Sequence, residues 1–351
     1  MKIDKKALKN LVIWVVVALV IQNGIFVFFE KKYQKNELKV TAVKIEDKEK
    51  NRPTPKIKVS NDAEDLKFSY NGKFMTYMES GDLKLCNVEN GDTKDIKSEE
   101  NAKVVFYKWV GNETSFILVE KKKDQFIFYS YDAKKDEKRE LLDFNMNKFQ
   151  IDAKSSEDKI EDIVCSDTNI MYIKVCRGNN LSDIYMSNVM NQLSLVKSNL
   201  SCEGNIAVPP NGTSLVYKSR DNIKILNNDD DKIIKVQNPK NINIIGIDKE
   251  DNLYLAERNG DNVVKILYGS LKQNSITFST LDMPKPCDIK EIVFNINGNI
   301  FLNDKSQNKL INLKTKEEIP YKGVLVGEYN KGMITLDNGE LKIIEFKDAQ
   351  A

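Results

Sequence analysis

The chain has 351 residues, with 54 Lys and Arg against 52 Asp and Glu, and no histidine. A hydrophobic share of 41% and a charged share of 30% are those of a globular protein, and a formal net charge of +2 supplies no basic field for nucleic acid. Without imidazole there is no Ser-His-Asp or Cys-His nucleophile, no His metal ligand and no imidazole acid or base.

Residues 11–29, LVIWVVVALVIQNGIFVFF, carry no charge. At about 1.5 Å per residue such a helix spans roughly 28 Å, close to the hydrocarbon thickness of a bilayer. Lys2, Lys5, Lys6 and Lys9 precede it, and Glu30, Lys31 and Lys32 end it. The exit lacks the small residues of a signal-peptidase site, so the expectation is an uncleaved signal anchor. It leaves residues 1–10 in the cytoplasm and the remainder outside. Lysines flank both sides, so the positive-inside rule does not set this orientation; it follows from the basic start and the large domain behind it. Residues 30–60, dense in Lys, Glu and Asp and carrying Arg52-Pro53-Thr54-Pro55, are expected to be a charged linker. Val40 to Ile45 and Lys56 to Val59 within it could be short strands.

Residues 61–348 follow a different pattern. Strands of five to seven residues alternate with Asn-Gly, Gly-Asp and Asp-Asn turns, whose residues accept the positive φ of tight hairpins. The pattern repeats. At a shift of 140, residues 71–87 overlay 211–227: Asn71-Gly72 meets Asn211-Gly212, Tyr77 meets Tyr217, and Leu83-Lys84-Leu85 meets Ile223-Lys224-Ile225. At a shift of 47, Asn252-Leu253-Tyr254-Leu255 meets Asn299-Ile300-Phe301-Leu302. First strands near Leu66, Val104, Ile163, Ile206, Ile244, Ile292 and Val324 give units of about 40 residues, the length of a four-stranded propeller blade. The expected fold is therefore all-β, a β-propeller of about seven blades (six being the alternative), preceded by one transmembrane helix. The last unit has room for three strands, so its fourth should come from Lys56 to Val59 or Val40 to Ile45. Residues 143–160 are a polar excess expected to form a loop between blades.

Phe68-Ser69-Tyr70-Asn71-Gly72-Lys73, followed by Tyr77, Asp82-Leu83-Lys84-Leu85 and Glu89-Asn90-Gly91-Asp92-Thr93, resembles a TolB-type, WD-like propeller repeat. Val208-Pro209-Pro210-Asn211-Gly212-Thr213 with Tyr217 is similar. Ile245-Gly246-Ile247-Asp248 with Asn252-Leu253-Tyr254-Leu255-Ala256 resembles an NHL-type repeat. These units cover most of residues 62–347. The WD-repeat signature itself is missing, since Trp14 and Trp109 are the only tryptophans and neither precedes Asp.

Little of this points to chemistry. Cys86, Cys165, Cys176, Cys202 and Cys287 contain no Cys-x-x-Cys and read mainly as small strand residues, with one disulfide left open. Asn227-Asn228-Asp229-Asp230-Asp231 offers close-spaced oxygens, but neither Gly nor Glu stands at calcium-loop spacing, so it reads as a hairpin tip. Lys121-Lys122-Lys123-Asp124 and Lys134-Lys135-Asp136-Glu137-Lys138 read as solvated turns. Phe126, Phe128, Tyr129 and Tyr131 read as blade packing. No phosphate loop or dinucleotide fingerprint is present. No residue is assigned a catalytic, cofactor-binding or metal-binding role, and no cofactor is expected.

The Lys-, Asn- and Ile-rich composition fits an AT-rich bacterial genome. The expected function is a binding scaffold, anchored by one span in the cytoplasmic membrane with its propeller outside. Its partner would be an envelope protein, a peptide or a glycan, and not nucleic acid. The alternatives are a carboxylate-based carbohydrate-active enzyme, which needs no histidine, and a tethered scaffold facing the cytoplasm.

Overall fold

The computed structural model describes residues 9, 13–19, 21–24, 57–60, 62–111, 114–227, 230–238, 241–273 and 275–346. It divides into two units, Met1–Arg52 and Pro53–Ala351. In the first, residues 13–19 and 21–24 are helical with exposed side chains, Trp14 among them. Among the described residues no helix is long and apolar enough to cross a membrane. The rest of the expected span 11–29 lies outside the described residues, as do linker positions 30–56, including Val40 to Ile45.

In the second unit the described strands form seven antiparallel sheets, each taken in chain order, which makes a seven-bladed β-propeller. Blade 1 is complete, with strands Ala63–Phe68, Phe74–Glu79, Asp82–Asn87 and Thr93–Ile96. The inner strands of blades 2, 3, 5, 6 and 7 are Lys103–Trp109, Lys159–Cys165, Ile242–Ile247, Ile292–Phe294 and Val324–Tyr329. In blade 4 the inner position is held by a single bridge, Ala207 to Val216, with both backbone hydrogen bonds made. Pro209 and Pro210 follow at once; neither has an N–H to donate, so the ladder stops there.

The recurring unit rests on one turn. In blades 1, 3, 5 and 6 the inner strand passes to the next through four residues: Ser69–Gly72, Ser166–Asn169, Asp248–Asp251 and Asn295–Gly298. The first and fourth are joined by an N–H···O=C bond of 2.8–3.2 Å. The fourth residue has φ of +69°, +61°, +63° and +77°, respectively, which Gly, Asn and Asp tolerate best. The first residue caps the turn with its side chain. Asp248 Oδ1 accepts from the backbone N–H groups of Glu250 and Asn252, and Asn295 Oδ1 from those of Asn297 and Asn299. That shared cap is the physical content of the 47-residue repeat.

Each blade then packs on the next. The buried hydrophobic residues fall into seven clusters, one for each neighbouring pair of blades around a closed ring. The cluster between blades 7 and 1 contains Phe68, Met75, Tyr329 and Ile334, together with Ile57 and Val59. Those last two residues belong to the segment that completes blade 7. Val59 N–H donates to Gly339 O (2.9 Å), Leu341 N–H donates to Ile57 O (3.3 Å), and Lys58 pairs antiparallel with Glu340. Glu340–Glu345 thereby loses part of its open edge, and the first residues of the domain are tied to the last.

The segment 143–160 departs from expectation. It is not a plain loop: Gln150–Asp152 is a strand paired with Gln125, Phe126 and Ile127 of blade 2, beside Glu137–Glu140, which pairs further along the same strand. Phe149, Ile151 and Ala153 alternate into the core between blades 2 and 3, and that burial holds the extra strand in place. Behind it lies a buried ionic network. Arg177 donates to Asp158 (2.7 Å), to Asp183 (2.9 Å) and to Tyr185 Oη (2.8 Å). Burial alone would raise the Asp158 carboxyl, but hydrogen bonds from Ser155, Arg177, Lys154 N–H and Gly178 N–H outweigh it and hold the group at about 2. Nearby, Cys176 and Cys202 form a disulfide that ties blade 3 to the segment after its outer strand.

Removal of Ile57 and Val59 should open the ring. Each buries a side chain worth about 1.5–3 kcal/mol. Residues 53–351 are expected to melt cooperatively, and residues 61–351 to melt at clearly lower temperature in calorimetry. Equal melting temperatures would show that the closing pair is dispensable.

Candidate functional site

The inner strands line a central cavity, and most of them carry the same irregularity. Register shifts interrupt pairing between Glu64 and Lys67, Val104 and Phe106, Ile160 and Asp162, Ile244 and Gly246, and Leu325 and Gly327. Bulges of this kind re-aim side chains and sharpen twist. Two of them place a glycine beneath an aromatic ring from the following blade. A Cβ on Gly246 would lie 2.6 Å from the Phe294 ring, and one on Gly327 would lie 2.4 Å from the Phe68 ring. Glycine at these positions is a packing requirement, since it lets a ring lie across the neighbouring strand.

A cavity of about 570 Å³ is lined from blades 2 to 6, with Lys108, Trp109, Asp162, Asn205, Ile245 and Phe294 among its walls. A smaller hollow of about 260 Å³ shares Asn205, Ile245 and Phe294 and adds Glu328. The polar groups differ in their commitments. Lys108 Nζ stands 2.7 Å from Asp162 Oδ1, a contact between blades 2 and 3. Glu161 is paired with Lys159 at 2.8 Å. Asn205 Nδ2 donates to Ile244 O at 3.2 Å. Trp109 Nε1 is spent on Thr76 Oγ1 (3.0 Å) and Lys67 O (3.2 Å), joining blade 2 to blade 1. Burial pushes the Cys165 thiol up to about 11, so it is protonated at neutral pH and a poor nucleophile.

Glu328 stands apart. Its side chain is exposed to water through the cavity, and the protein around it pushes its carboxyl up to about 7. Among the described residues it has no hydrogen-bond or ion-pair partner. The cavity is thus neither a ring of lysines nor a matched pair of free carboxylates.

A second feature lies on the inserted segment. Phe144 and Met146, each 73% exposed, meet Val189 (64%) and Met190 (51%) of the turn between the last two strands of blade 3. Phe144 N–H donates to Met190 O (3.1 Å), and Asn191 Nδ2 donates to Leu142 O (3.1 Å), so the two loops form one structure. The Asp143 carboxylate turns inward on its own loop, accepting from Asn145 and Asn147, and Lys148 pairs with Glu140. Phe144, Met146, Val189 and Met190 stand outward beside these polar groups.

In the acidic turn, Asn228 and Asp229 lie outside the described residues. Asp231 accepts from Lys197 (2.7 Å) and Tyr217 (2.8 Å), and Asp230 faces Lys232. Among the described residues no cluster of three metal-ligating side chains occurs. Lys121 donates to the carbonyls of Ser156 and Asp158, and Lys138 holds the fully buried Glu120 at 2.7 Å. These lysines therefore fasten loops. Phe126, Phe128, Tyr129 and Tyr131 are buried in blade packing. Glu328 is a single acid in a mostly apolar stretch, and Asn205 ends the polar run Glu203-Gly204-Asn205 before an inner strand, so neither carries a motif. An acid inside the inner-strand stretch Val324–Tyr329 was the available signal.

No family model and no curated protein matches the chain. Solved structures do. A chain of the mitotic checkpoint complex is similar with a TM-score of 0.54 and 13% identity, over 84% of this chain and 93% of that one. Hsv2 of Kluyvelomyces marxianus gives 0.52 and 10%, over 82% and 94%. Oligogalacturonate lyase in complex with manganese gives 0.54 and 7%, over 80% and 88%. At these identities the likeness is one of fold.

Replacement of Gly246 by Val should drive the Phe294 ring out of its seat and into the cavity. The expected result is a destabilisation of about 1–3 kcal/mol in denaturant titration, the usual scale of overpacking. Unchanged stability would mean that the ring moves freely and does not wall the cavity.

Proposed function

We propose that this chain is a membrane-anchored β-propeller on the outer side of a bacterial cytoplasmic membrane, where it serves as a scaffold that docks an envelope protein. The observation that carries the docking is the apolar patch of Phe144, Met146, Val189 and Met190. Exposed apolar clusters of this kind, set within polar surroundings, mark interaction surfaces on soluble domains. The patch sits on an insertion that the blade repeat does not require. The fold is also shared with a chain that belongs to a protein assembly, the mitotic checkpoint complex.

The anchor reading rests on the uncharged stretch 11–29 and the basic residues before it. The outward orientation is supported by the Cys176–Cys202 disulfide, since such bonds persist in oxidising compartments. The TolB-type resemblance of the repeats accords with an envelope role. A carbohydrate-active enzyme is the second reading, favoured by one observation. Glu328 has the raised carboxyl of a general acid, and one similar fold is a lyase. Asp162 and Glu161, the other cavity carboxylates, are held in ion pairs, which leaves Glu328 without the free partner that glycoside hydrolysis uses.

Two experiments test the proposal. In pull-downs from envelope extract, the native protein should retain at least one protein that the Phe144→Ser, Met190→Ser double variant loses by tenfold or more. Both positions are exposed, so melting temperatures should match; equal retention by the two proteins removes the patch from the reading. In intact protoplasts, added protease should digest the propeller. Full protection would place it in the cytoplasm and overturn the orientation.

A further inference from the structure

We propose that the hollow beside Glu328 is a binding site for a primary ammonium group carried on an aliphatic stem. The site is separate from the apolar patch and does not depend on the docking reading. Its polar chemistry is one-sided. Of the side chains that line the hollow, only Glu328 and Asn205 are polar. The Asn205 amide has already given its Nδ2 to Ile244 O, which leaves Oδ1 to accept. Glu328 offers two further acceptor oxygens and has no partner among the described residues. The Phe294 ring also lines the hollow and adds apolar surface. The remaining walls, Ile245, Ile289, Ile292 and Val293, suit an alkyl stem.

Among the described residues no lysine or arginine lines this hollow, and Lys108 of the adjoining cavity is bound to Asp162. At about 260 Å³ the space lies below the roughly 300–1,000 Å³ of pockets for drug-sized ligands, which fits a small amine or one lysine side chain.

A carboxylate that meets an ammonium group is stabilised in its charged form, so ligand binding and proton release are linked. The neighbouring elements carry Glu64, Asp65 and Lys67 on the inner strand of blade 1, Glu203 ahead of blade 4, and Lys290 and Glu291 in the turn before blade 6. Asp65 and Lys67 pair with each other at 2.8 Å. None of these acts on Glu328, whose shift to about 7 comes from burial alone. Below that value the carboxyl is neutral and the site lacks its charge. Above it, and below the range in which an alkylamine loses its own proton, both partners are ionised.

The test is calorimetric titration of the full-length chain in a non-ionic detergent with pentylamine, with pentan-1-ol as the uncharged isostere, and with a short acetylated peptide bearing one lysine. Pentylamine should bind about tenfold more tightly at pH 8.5 than at pH 5.5, and pentan-1-ol should bind neither more tightly nor with any pH dependence. The Glu328→Gln variant should lose pentylamine affinity by tenfold or more and retain its melting temperature, since the residue is exposed and the change keeps its volume. Tighter binding of the peptide than of the amine would identify the source as a partner's lysine. Tighter binding of pentylamine would identify a small amine. Equal affinity of the native protein and Glu328→Gln, equal binding of amine and alcohol, or no amine binding at either pH would overturn the proposal.

Discussion

Everything in the propeller depends on closure. Seven sheets can bury their faces only against one another, so each inter-blade core needs both of its blades in place. Six interfaces could form in an open arc. The seventh, between blades 7 and 1, joins the two ends of the domain, and there Ile57 and Val59 supply both hydrogen bonds and apolar surface. Cutting that contact exposes the flank of blade 1 and the edge of blade 7 together. The ring is thus a device that uses the start of the domain to protect its finish, in place of the blunted or charged edges that open sheets need.

Closure also creates the cavity. Inner strands that run around an axis leave space at the centre, and what fills or lines that space is decided by the bulges. Gly246 and Gly327 stand at equivalent places on two blades and each admits a ring from the next, so the same local irregularity couples packing between blades to the shape of the cavity. The Lys108–Asp162 pair spans blades 2 and 3 in the same region. Lining residues therefore also hold neighbouring blades together. Glu328 is the exception: among the described residues no hydrogen bond or ion pair uses its carboxylate, which stays open to water and to a ligand.

The repeat was legible because its causes are local. A four-residue turn that needs positive φ at its fourth position and a capping oxygen at its first restricts sequence strongly, and the 47-residue shift overlays one such turn on another. The start of each inner strand could be read for the same reason, including Ile206, where two prolines cut the strand to one bridge. Residues 143–160 hide a strand in their sequence because polar residues dominate them. Their few apolar side chains, Phe149 and Ile151, carry the strand, and that only matters once blade 3 is beside it.

Alternation, turn chemistry and spacing, all properties of neighbours along the chain, determined an all-β repeat of about forty residues and the position of its blades. The absence of histidine and of any phosphate or metal motif also needed nothing but the chain. Tertiary structure alone decided which cysteines pair, which lysines are spent on buried acids, which cavity carboxylate has no partner among the described residues, and where Phe144 meets Met190. Each of these depends on residues tens to hundreds of positions apart being brought within a few ångströms by ring closure, and no local preference records such a meeting.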